Sequence, residues 1–138
     1  MKKKLIIAAL SLVTLMATAQ NNNALFKGYV YNKEYDVYLD INFYDSNITV
    51  PGQEIFGKIP GYFGDKRDSR KWLITDASIK GNTAYISMIN DYGSEDLKAE
   101  LTVKNDGTYE LKQVEGSTLK IARNRKWCKM PKKLIFNK

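Results

Sequence analysis

The sequence predicts an all-β domain, an antiparallel meander of about eight to ten strands closing on itself as a small up-and-down barrel. Two patterns predict it. Apolar and polar residues alternate with period two through much of the chain, and turn-forming dipeptides interrupt the alternation at short intervals. A two-sheet sandwich is the alternative arrangement that these patterns allow.

The chain opens with a different kind of segment. Lys2, Lys3 and Lys4 precede an uncharged, largely apolar run at residues 5–16, and Ala17-Thr18-Ala19 follows as a small-x-small cleavage pattern. This is the order of parts in a secretory signal peptide. The apolar run makes a helix of roughly 18 Å against a bilayer core of about 30 Å, too short for a membrane anchor. Residues 1–19 are therefore expected to be a cleavable signal, residues 20–24 a flexible leader, and residues 25–138 a single β domain in the periplasm or outside the cell.

Strands are expected near residues 25–31, 35–44, 48–50, 54–59, 72–79, 83–89, 97–103, 108–114, 118–123 and 133–137. The clearest lies in residues 34–44. Tyr35, Val37, Leu39, Ile41 and Phe43 alternate with Asp36, Tyr38, Asp40, Asn42 and Tyr44, which places the first set on one face of a strand. Leu97, Ala99, Leu101 and Val103 repeat the pattern. Pro51-Gly52, Gly81-Asn82, Asn105-Asp106-Gly107 and Glu115-Gly116 separate the runs, and dipeptides of this kind reach the positive φ that tight hairpins need. Sequential hairpins with one apolar face and no covering helix are best satisfied by closure, which removes exposed edges. A spanning outer-membrane barrel needs strands of about nine to eleven residues, a length only residues 34–44 reach.

In overall pattern the exported start, the length and the succession of hairpins resemble the small lipocalin-type (calycin-like) barrels found among bacterial envelope proteins. That family's first strand carries Gly-x-Trp; the stretch here is Phe26-Lys27-Gly28-Tyr29, without the tryptophan. The resemblance implies a calyx that carries a small apolar ligand.

The chain contains no histidine, which excludes Ser-His-Asp and Cys-His nucleophile systems and the common zinc sites. Asp36 and Asp40 on one strand stand about 13–14 Å apart at about 3.4 Å per residue, long for a carboxylate pair. Asp91-Tyr92-Gly93-Ser94-Glu95-Asp96 lacks calcium-loop spacing and reads as a polar turn. No catalytic residue, metal site or cofactor is assigned. Cys128 is the single cysteine, so no internal disulfide can form, and a small packed apolar residue is the expected role.

Charge is unevenly distributed. Residues 20–115 hold eleven basic and fifteen acidic side chains, whereas residues 116–138 hold eight basic ones and no acid. Such asymmetry points to an anionic partner. Residues 61–72 read as a long loop at a barrel mouth, with Tyr62, Phe63, Arg67, Arg70 and Trp72 as partner-binding groups. Arg123, Arg125 and Trp127 join them from the basic segment. The function expected is a noncatalytic binding protein for a protein or anionic envelope component, inhibitor- or immunity-like in kind. A carrier of a small apolar ligand comes second and a carboxylate-dependent hydrolase third. Nucleic acid is not an expected partner. Intact-mass measurement on protein recovered from the exported fraction should give a chain beginning at Gln20; a chain retaining Met1 refutes the cleavage.

Overall fold

The structure is a computed structural model that describes residues 25–138; the expected signal peptide and leader lie outside the described residues. Twelve strands follow in order: β1 (Lys27–Asn32), β2 (Val37–Asn42), β3 (Ile48–Thr49), β4 (Lys58–Ile59), β5 (Gly61–Asp65), β6 (Asp68–Lys80), β7 (Thr83–Asn90), β8 (Asp96–Val103), β9 (Tyr109–Gly116), β10 (Lys120–Arg123), β11 (Lys126–Lys129) and β12 (Lys133–Phe136). A single 3-10 turn, Glu54–Phe56, stands between β3 and β4. No helix among the described residues is long and apolar enough to cross a membrane.

Eight strands form one antiparallel sheet in the order β1-β2-β5-β6-β7-β8-β9-β12, as the meander predicts. Its first and last strands meet. Tyr31 and Asn137 exchange backbone hydrogen bonds of 2.7 and 2.8 Å, and Asn32 Nδ2 donates to the Ile135 carbonyl at 2.7 Å. The sheet is thus nearly closed into a barrel. Period-two alternation does what it should: Val37, Leu39 and Ile41 of β2 face inward and are buried, as are Leu97, Ala99 and Leu101 of β8. Phe26, Phe63, Tyr109 and Phe136 fill the space between them. Burying a side chain of this size contributes about 2 kcal/mol. At one end Phe26 stacks on Phe43 with ring centroids 5.7 Å apart, and the Tyr109 hydroxyl donates to the Leu25 carbonyl.

Two expectations are corrected. Residues 54–59 do not form a strand, because Ile55 and Phe56 point to solvent and only Lys58–Ile59 pairs, with β3. Residues 61–72 are not a long loop. They are β5 and the start of β6, joined by a tight turn at Lys66-Arg67. The glycines that read as loop punctuation have another origin. A Cβ on Gly61 would stand 2.4 Å from the Asp40 carbonyl oxygen, and one on Gly64 would stand 2.3 Å from the Tyr38 ring. Both mark the close approach of β5 to β2. The segment from β3 to β4 folds over the outer face there, and Val50 packs on Tyr62 and Leu73 in a second apolar cluster.

Three buried asparagines end β1, β2 and β7. Asn32 Oδ1 accepts from the Tyr35 amide, Asn42 Oδ1 from Tyr44 and Asp45, and Asn90 Oδ1 from Ser94 and Glu95. Each side chain replaces the strand partner that the departing backbone loses. Asn90 accounts for the acidic segment at 91–96, whose turn it holds. Asp36, at φ 61°, lies in the turn after β1 and accepts from the Tyr31 hydroxyl, so it shares no strand face with Asp40.

Gly61→Ala should lower stability by about 2 kcal/mol, since the clash is with backbone and cannot be relieved by a rotamer change. Urea unfolding measures it; an unchanged midpoint contradicts the close packing of β5 on β2.

Candidate functional site

The barrel end opposite Phe26 and Phe43 is bordered by the turns β1–β2, β5–β6 and β7–β8. The connection from β9 to β12 lies across it. Within this connection β10 and β11 form a hairpin, registered Ile121 to Cys128 and Ala122 to Trp127. Leu119, Ile121 and Met130 are buried against the barrel core, with Cys128 packed beside them. Cys128 therefore serves as a small apolar group beneath the hairpin.

Polar ties fix the hairpin from three directions. Arg123 grips the barrel rim: its Nη1 and Nη2 bond both oxygens of Asp65, at 2.5 and 2.9 Å, and Nη2 also donates to the Tyr35 carbonyl at 2.6 Å. The Asp65 side chain is 3% exposed and that of Arg123 17%. Donating to the Asp65 carboxylate raises the Arg123 pKa above its ordinary value. Trp72 Nε1 donates to the Lys120 carbonyl at 3.2 Å, and Lys120 Nζ pairs with Glu95 Oε1 at 2.9 Å.

The tip of the hairpin is strained. Asn124 and Arg125 have φ of 53° and 64°, the left-handed pair of a type I′ turn, whose second position favours glycine. Arginine there costs about 1 kcal/mol. Strain of this kind gathers at functional positions.

Around this tip the two segments singled out from the sequence converge. Arg67 and Arg70, from the β5–β6 hairpin, face Arg123, Arg125, Lys126 and Trp127 across a groove of about 560 Å³. Asp65 neutralises Arg123, and Asp68 pairs with Arg70 at 2.8 Å. Arg67, Arg125 and Lys126 have no ion-pair partner among the described residues. A concave surface with uncompensated guanidinium groups attracts carboxylate or phosphate and offers it bidentate hydrogen bonds. Trp127 is 57% exposed, with the Arg70 guanidinium 5.4 Å and the Lys120 ammonium 5.5 Å from its ring centroid.

Beyond Arg70 and Trp127 lies a second cleft, of about 150 Å³, with Phe63, Trp72 and Ile121 among its walls and Tyr92, Asp91 and Glu95 also lining it.

Of the residues predicted to bind, Arg67, Arg70, Arg123, Arg125 and Trp127 come together. Tyr62 does not join them: it is buried on the outer barrel face in the Val50 cluster, where burial pushes its phenol pKa up. Phe63 and Trp72 are buried in the core and contribute only as cleft wall. Asp65, Lys126 and Tyr92 were missed. Lys126 stood in the basic segment and was legible there; the Asp65 partnership, spanning 58 residues, left no local pattern.

Compared with known proteins, the chain matches no family model, no curated protein and no solved structure.

Arg123→Ala should cost about 3 kcal/mol, because Asp65 would be left buried without its counter-charge. Arg125→Gly should gain about 0.5–1 kcal/mol by releasing the turn strain. Thermal unfolding of both variants reads the two effects; a stabilised Arg123→Ala protein contradicts the assigned tie.

Proposed function

We propose that this protein is an exported, noncatalytic binding module of the periplasm or cell exterior. It recognises an anionic group on a protein or envelope component through the groove around Arg67, Arg70, Arg125, Lys126 and Trp127. The reading places it with small rigid inhibitors and immunity-type proteins. One observation carries it: basic side chains from two hairpins far apart in sequence meet at a single concavity, and one of them holds a backbone conformation that favours glycine. A cation kept at a strained tip serves recognition better than stability.

The packed interior supports this reading over the ligand carrier. Leu39 and Ile41, which point into the barrel, are fully buried in one core cluster with Phe63, Leu101 and Leu111. The clefts described above lie at the barrel end and are lined by neither.

The test uses dextran sulfate as a polyanionic probe. Binding measured calorimetrically should weaken by about tenfold or more as sodium chloride rises from about 50 to about 300 mM. Arg67→Glu combined with Arg125→Glu should abolish it, whereas Lys27→Glu combined with Lys58→Glu, an equal charge change at exposed sites elsewhere, should weaken it far less. Equal losses in the two double variants overturn the groove as the binding site.

A further inference from the structure

The two clefts are neighbours, and their chemistry differs. Asp68, Arg70, Ala122 and Trp127 border both, so a ligand can occupy the two at once. The larger cleft is cationic. The smaller has an apolar floor, with Phe63, Trp72 and Ile121 buried, and exposed aromatic groups at Tyr92 and Trp127, which are 74% and 57% exposed. Its volume of about 150 Å³ equals that of apolar cavities known to admit a benzene ring. It therefore takes one apolar side chain of leucine or phenylalanine size and little more.

We infer that the natural ligand is an acidic peptide segment of a partner protein, whose apolar side chain fills the small cleft while carboxylates on one side of it meet Arg67, Arg125 and Lys126. This inference rests on the groove proposed above and adds the ligand's class and polarity. Charge complementarity selects the occupant. Asp91, which has no ion-pair partner among the described residues, lines the apolar cleft, whereas Glu95 and Asp68 on its walls are paired with Lys120 and Arg70. A continuous anionic plane such as a phospholipid surface would bring negative charge against Asp91 as well as against the free cations of the groove. A peptide separates the two, since successive residues of an extended chain are about 3.4 Å apart and only those on one side of the apolar residue need be acidic. Trp127 and Arg70 at the junction and Tyr92 in the small cleft are also of the residue types on which protein–protein binding energy concentrates.

The experiment measures full-length mature protein against short peptides by isothermal titration calorimetry. The peptides are X-Gly-Glu-Glu and Glu-Glu-Gly-X, capped at both ends, with X as Phe, Trp, Leu or Ala. Vesicles of phosphatidylglycerol and phosphatidylcholine, and dextran sulfate, serve as comparison ligands. In one peptide direction, Phe or Leu at X should bind about tenfold more tightly than Ala. Tyr92→Ala, a change at an exposed side chain of the small cleft, should remove most of that preference. The double reversal at Arg67 and Arg125 should weaken every peptide. Dextran sulfate binding with peptide affinities that ignore X leaves the basic groove standing and overturns the peptide inference. Vesicle binding tighter than any peptide replaces it with a membrane surface. Loss of both peptide and dextran sulfate binding in the parent protein removes the groove reading as well.

Discussion

A barrel of eight strands with an apolar interior has two open ends, and each must be covered or water reaches the core. Phe26 and Phe43 cover one. At the other, the cover is a separate hairpin, and its position depends on the paired Arg123 and Asp65. That pair is short, doubly hydrogen-bonded and largely withdrawn from solvent, the geometry in which a charge pair offsets its own desolvation. Arg123 also takes up the Tyr35 carbonyl, so one side chain joins the hairpin to two rim turns. Everything at this end is placed relative to it: the buried Leu119 and Ile121 beneath, the strained tip beside it, and the groove in front.

The fold was legible where burial is one-sided. Residues 35–43, which contain β2, and residues 97–103 of β8 present five and four apolar side chains in strict alternation, and no helix could place them on one face. It was least legible where a strand is covered on both faces. Gly61–Asp65 is buried throughout, because the core lies on one side and the β3–β4 excursion on the other, and a strand so placed loses its alternation. Its two glycines then read as turn residues, although they stand where neighbouring chain leaves no room for Cβ. The basic segment was identified by composition, but not its division into β10 and β11. The turn between them is Asn124-Arg125, and arginine at the second position conceals a type I′ turn that glycine would have announced.

The site was legible in its ingredients and illegible in its arrangement. Arginines at 67, 70, 123 and 125 were visible as a pair of charged segments. Which of them stay free in the groove depends on long-range partners: Arg123 is consumed by Asp65, Arg70 is shared between Asp68 and Trp127, and Arg67 and Arg125 are left over. Counting charge along the chain cannot separate a cation tied into the fold from one left without an ion-pair partner. The three turn-holding asparagines carry the same lesson, since polar residues at strand ends look alike until burial distinguishes them.

The closure of the sheet has a dynamic consequence. Neighbouring strands elsewhere share runs of paired residues, but β1 and β12 meet through the single bridge Tyr31–Asn137 and the side chain of Asn32. Local opening follows the weakest set of contacts, so amide hydrogen exchange through partial unfolding is expected to begin along this seam. Because the rim turn next to β1 is also held by Arg123, a load applied to the hairpin is transmitted to the seam.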